Sequence, residues 1–66
     1  MLLQINGKPA DTAEGHSLQD LMLERKLSAR AVITELNGQI VQAEDRSKTK
    51  LTQNDKLEII HILGGG

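Results

Sequence analysis

Two Asn-Gly pairs, Asn6-Gly7 and Asn37-Gly38, each stand between short apolar runs. The pair suits a two-residue turn whose central residues both need positive φ, a turn that folds a chain back on itself as a tight hairpin. Two hairpins are therefore expected. The first pairs Leu2 to Asn6 with Lys8 to Thr12, and the second pairs Val32 to Leu36 with Gln39 to Gln42. Pro9 has no amide proton to give to a ladder, which places the second strand at a sheet edge.

Between the hairpins, Leu18, Leu21 and Met22 form an apolar i, i+3, i+4 stripe, with Ser17 and Asp20 spaced as an N-terminal capping pair. This spacing predicts one helix over residues 18 to 26, closed against the core by Leu27. The stretch 43 to 50 is polar with charges of both signs, and is expected to be a connection containing one helical turn. Its charges, Glu44, Asp45, Arg46, Lys48 and Lys50, are read as a solvated surface. Asn54-Asp55 then turns the chain into a last strand over residues 56 to 63. The order ββαβββ implies an α+β fold, one helix covering one face of a mixed sheet. First and last strands are expected side by side and parallel at its centre, because a helix supplies the crossover that a hairpin cannot.

With 66 residues there is room for one domain and none for a deep catalytic cavity, since a chain this short buries only about 60% of its unfolded surface. An autonomous enzyme is a poor expectation. Eight Lys and Arg against nine Asp and Glu, with no Phe, Trp or Tyr, supply neither a basic field nor a stacking platform for nucleic acid. Cysteine is absent, which excludes a thiolate nucleophile, a disulfide framework and a zinc site with sulfur ligands. The start of the chain carries neither a basic region nor a long apolar segment, so no membrane and a cytoplasmic location are expected.

The last strand is apolar on both faces. Leu57, Ile59 and Leu63 share one side by the period of two, while Ile60 and Ile62 share the other with Glu58. A single helix covers one side only, so Ile60 and Ile62 are read as a docking patch on the open face, against the duller reading of a shielded central strand. The strand runs straight into Gly64, Gly65 and Gly66. Residues 1–63 are expected to form the body and residues 64–66 a flexible tail, because glycine has the freest backbone and no side chain to anchor it. His16 and His61 offer no metal-binding spacing, Ser17 has no triad partners, and the glycine run lacks the lysine and helix of a phosphate loop.

The ββαβββ order, the second Asn-Gly turn, the Asn54-Asp55 turn and the ending from Glu58 to Gly66 together resemble the ThiS family, the ubiquitin-like β-grasp sulfur carriers of thiamin biosynthesis. The resemblance spans essentially the whole chain, and its most specific motif is Gly65-Gly66. The last strand lacks the aromatic residue that relatives often carry there.

The resemblance implies a carrier cycle and no enzyme activity of its own. A partner resembling ThiF would use ATP and magnesium to adenylate the Gly66 carboxylate, and a sulfur-donating protein would convert it to a thiocarboxylate. A thiazole synthase resembling ThiG would then receive the sulfur. Gly66 would be the covalent site and Gly64 and Gly65 the slender arm, with no cofactor bound by this chain and a monomer when free. Two alternatives stand beside it: a sulfur donor of another pathway, such as the small subunit of molybdopterin synthase, and a ubiquitin-like modifier or interaction module.

Overall fold

The computed structural model describes residues 1–62. Strand β1 (Leu2–Ile5) turns through Asn6-Gly7 into β2 (Lys8–Asp11), and helix α1 (Leu18–Glu24) follows. Strand β3 (Val32–Leu36) turns through Asn37-Gly38 into β4 (Gln39–Val41), a 3-10 helix covers Ala43–Lys48, and β5 (Lys56–His61) comes last. Both turns have the predicted backbone: φ is 52° and 81° at Asn6 and Gly7, and 51° and 87° at Asn37 and Gly38. Positive φ at both central residues gives a turn with the same twist as its strands, which keeps each hairpin in register.

The strands lie in the order β2-β1-β5-β3-β4. β1 and β5 run parallel, Gln4 beside Lys56 and Ile5 beside Leu57, while β5 runs antiparallel to β3 from Leu57 opposite Leu36 to His61 opposite Val32. β2, with Pro9 in it, is an edge strand as its missing donor requires.

Helix α1 begins with a reciprocal cap. Ser17 Oγ accepts from the Asp20 amide at 3.1 Å, and Asp20 Oδ2 accepts from the Ser17 amide at 2.9 Å. The helix stops at Glu24, short of residue 26, because Lys26 adopts φ 58° and the Leu27 amide donates back to the Met22 carbonyl at 2.9 Å. That left-handed stop is usually made by glycine, and no glycine marks it in the sequence. Leu18, Leu21 and Met22 share one buried core with Leu3, Val32, Leu57 and Ile59 of the covered sheet face and with Leu51 from the loop before β5, and Leu27 leans on this core as expected.

The charged connection departs from its reading as a solvated surface at one residue. Glu44, Asp45, Lys48 and Lys50 are exposed, but Arg46 is 3% exposed. Its Nε donates to Thr34 Oγ1 at 3.1 Å, Nη1 to the Ala29 carbonyl at 2.9 Å and Nη2 to the Val32 carbonyl at 3.0 Å. A guanidinium is buried where oxygen acceptors meet its fork of N–H groups, a match of geometry that charge patterning along the chain does not reveal.

Candidate functional site

β5 carries the chain through the middle of the sheet and out towards its glycine end. Along it Leu57 and Ile59 are buried beneath α1, while Ile60 is 50% and Ile62 47% exposed. The alternation follows from the pleat, and the helix covers only the odd-numbered side. Gly64, Gly65 and Gly66, the arm and covalent site inferred from sequence, lie outside the described residues, as does Leu63.

The open face gathers more than the last strand contributes. Ile33 of β3 lies directly opposite Ile60, Glu35 lies opposite Glu58, and Ile40 of β4 lies opposite Glu35. Ile33 and Ile40 are both exposed, so three strands present isoleucine on one side of the sheet. Sequence reasoning missed these two. The alternation through Val32, Ile33 and Thr34 signals an outward Ile33, but only the strand order brings it beside Ile60.

Two side chains, Asn6 and Asn37, hold β5 in place, and Asp55 in turn holds Asn37. Asn6 Oδ1 accepts from the Ile59 amide at 2.7 Å and its Nδ2 donates to the Ile59 carbonyl at 3.2 Å. Asn37 Oδ1 accepts from the Lys56 amide at 2.9 Å, and its Nδ2 donates to Asp55 Oδ1 at 2.9 Å. Asp55 also accepts from the Thr52 amide at 2.7 Å and the Thr52 hydroxyl at 2.9 Å. Burial opposes the charge on Asp55, but the hydrogen bonds from Asn37 and Thr52 together outweigh it and hold the carboxyl below its ordinary range.

Little in the described body could do chemistry. His61 is exposed near the end of β5, and His16 Nδ1 pairs with Thr12 Oγ1 at 3.2 Å. Among the described residues no three His, Cys, Asp or Glu side chains come together to hold a metal, and no helix is long and apolar enough to cross a membrane. The hollow between β3, β4 and the 3-10 helix has the Arg46 guanidinium in its wall, already engaged by three protein acceptors. What the described body can do is present a face.

A mixed five-stranded sheet with a parallel central pair and one helix on one face defines a ubiquitin-like β-grasp protein. The crystal structure of the thiamine biosynthesis protein ThiS from Geobacter metallireducens superposes with a TM-score of 0.86 at 33% identity, over 100% of both chains. The sulfur carrier protein ThiS of Bacillus subtilis is 35% identical over 66 residues, 98% of this chain and 100% of that one. A thiazole synthase of Magnetococcus marinus is similar as well, 27% identical over 100% of this chain but only 20% of its own length. The ThiS family model matches residues 3–66. The chain belongs to the ThiS family: it is a small sulfur carrier protein of thiamin biosynthesis, not a catalyst itself.

Proposed function

We propose that the carboxylate of Gly66 is the group that carries the sulfur. The observation that supports this most is that the family likeness runs to residue 66 and so includes the glycine end. A carboxylate resists attack because its charge is delocalised and oxide is a hopeless leaving group. Adenylation by a partner resembling ThiF, with ATP and magnesium in that partner's site, gives the acyl carbon a good leaving group in AMP. Sulfur from a sulfur-donating protein then takes its place, and the product is a C-terminal thiocarboxylate.

Residues 1–63 serve as the body and residues 64–66 as the arm. Three glycines in a row let the end enter a narrow site where any Cβ risks a clash. Ile60 and Ile62 dock the body on its partners, helped by Ile33 and Ile40 on the same face. A thiazole synthase resembling ThiG receives the sulfur. The likeness of a whole-length stretch of this chain to part of a protein called thiazole synthase supports that partner. The free protein is a monomer of the cytoplasm, where ATP and the partners are at hand.

The test is to incubate the full chain with an adenylating partner, ATP and a sulfur donor, and to weigh its C-terminal peptide. Replacement of one oxygen by one sulfur at Gly66 is expected, and deletion of Gly66 should abolish it while leaving the unfolding transition unchanged. Adducts on the lysines of other proteins, with no sulfur at Gly66, would overturn the carrier chemistry in favour of a modifier.

A further inference from the structure

Two acids stand among the isoleucines of the open face. Ile33, Ile40 and Ile60 are exposed on three adjacent strands, and beside them half-buried Glu35 of β3 lies directly opposite exposed Glu58 of β5. Backbone bonds on either side of the pair, from the Asn37 amide to the Lys56 carbonyl at 2.8 Å and from the Ile62 amide to the Ala31 carbonyl at 2.9 Å, keep the two strands in register. Directly opposite residues on one face hold their Cβ atoms about 5 Å apart, and like charges at that spacing are destabilising.

The chain does not offset this repulsion. Among the described residues the one ion pair joins the amino terminus to Asp11, so neither glutamate has a cation there. Lys56 precedes Glu58 by two residues and shares its side of the strand, yet forms no ion pair with it. Asn6, which follows Ile5 on the β1 side, has its amide engaged by the Ile59 backbone. Arg46 lies under the other face, where its guanidinium is held by Thr34, Ala29 and Val32.

Any protein that covers the isoleucines also strips water from Glu35 and Glu58. A carboxylate taken out of water without a donor or a cation is strongly unfavourable, so the face accepts a partner that brings positive charge and rejects one that does not. A guanidinium suits the place better than an ammonium. Its planar fork can donate to both carboxylates at once, it gives up its hydration more readily, and its apolar stem can lie on isoleucine. We propose that Glu35 and Glu58 together receive one arginine of the adenylating partner, with Ile33, Ile40 and Ile60 packed around it. Of the partners in the carrier reading, the one that gathers ATP must hold positive charge for the phosphates, which matches it to an acidic pair. The proposal rests on the open face being the docking surface.

Glu35→Gln and Glu58→Gln keep the shape of each side chain and remove its charge. In the full chain each should raise the melting point of the free protein by about 2–5 °C, because the repulsion is gone. Each should also weaken binding to the purified adenylating enzyme about five- to tenfold, read by titration calorimetry. Wild-type affinity should fall with added salt more steeply than that of either variant. Wild-type affinity in both variants overturns the arginine contact. So does a lowered melting point in both, which would make the carboxylates supports of the fold. Weakening seen with a thiazole synthase and not with the adenylating enzyme overturns the choice of occupant. Ile60→Ala, which removes apolar area and no charge, separates this proposal from the docking reading beneath it. If it weakens binding while both glutamine variants bind as wild type does, the face docks and the acidic pair plays no part. If all three bind as wild type does, the open face is not the docking surface and the proposal falls with it.

Discussion

Arg46 and Thr34, 12 residues apart in the chain, are joined side chain to side chain in the interior, and the hydroxyl that accepts from the guanidinium donates onward to the Val41 carbonyl at 2.9 Å. The relay ties the 3-10 helix to both strands of the second hairpin. Arg46→Met, similar in bulk, would leave the Ala29 and Val32 carbonyls and the Thr34 hydroxyl without their donor. A loss of about 3 kcal/mol is expected, because a buried polar group left unpaired costs its desolvation in full. In a domain this small that corresponds to a melting point lower by roughly 15 °C, read by circular dichroism. Arg46→Lys should recover only part of it, since one ammonium cannot reach all three acceptors.

Acid should destabilise the protein through Asp55. Its folded carboxyl lies below its ordinary 3.8, held there by Asn37 and Thr52 against the opposing effect of burial. A carboxyl lowered on folding contributes stability that is fully present above its unfolded value and is lost as pH falls through the folded one. Asp20, lowered by the Ser17 backbone amide and then by the Ser17 hydroxyl, adds in the same direction. The melting point is therefore expected to hold from neutrality to about pH 5 and to fall below about pH 4. Asp55→Asn should cost about 2 kcal/mol at pH 7 and flatten that acid limb, both measurable by denaturant titration across pH.

Lys26 pays for stopping α1 in a left-handed conformation that its Cβ disfavours. Lys26→Gly should stabilise the protein by about 0.5–1 kcal/mol, seen as a higher denaturant midpoint at unchanged slope.

Ile60 is half exposed and faces Ile33 across the open side of the sheet. Ile60→Asp should change stability by no more than about 1 kcal/mol while weakening the adenylating partner about tenfold or more, as measured by titration calorimetry. Wild-type affinity in this variant would remove the open face from the interface.

The sequence alone determined what neighbours in the chain can enforce. Asn6-Gly7 and Asn37-Gly38 specify their hairpins, and Ser17 with Asp20 specifies where α1 begins, because each pattern is satisfied within a few residues. Pro9 marked an edge strand for the same local reason, and the alternation of residues 57 to 60 showed which side of the last strand would be covered. The helix end at Lys26 was not legible, since no glycine announces it.

The tertiary structure decided what distant residues do for one another. It turned Arg46 from a surface charge into a buried tie, brought Ile33 and Ile40 onto the face of Ile60, and set the turn residue Asn6 against Ile59, 53 residues away. These contacts depend on strand order. Whether β5 lies between β1 and β3 is settled by packing of the whole core, and a hydrogen bond between two residues so far apart exists only after that choice is made.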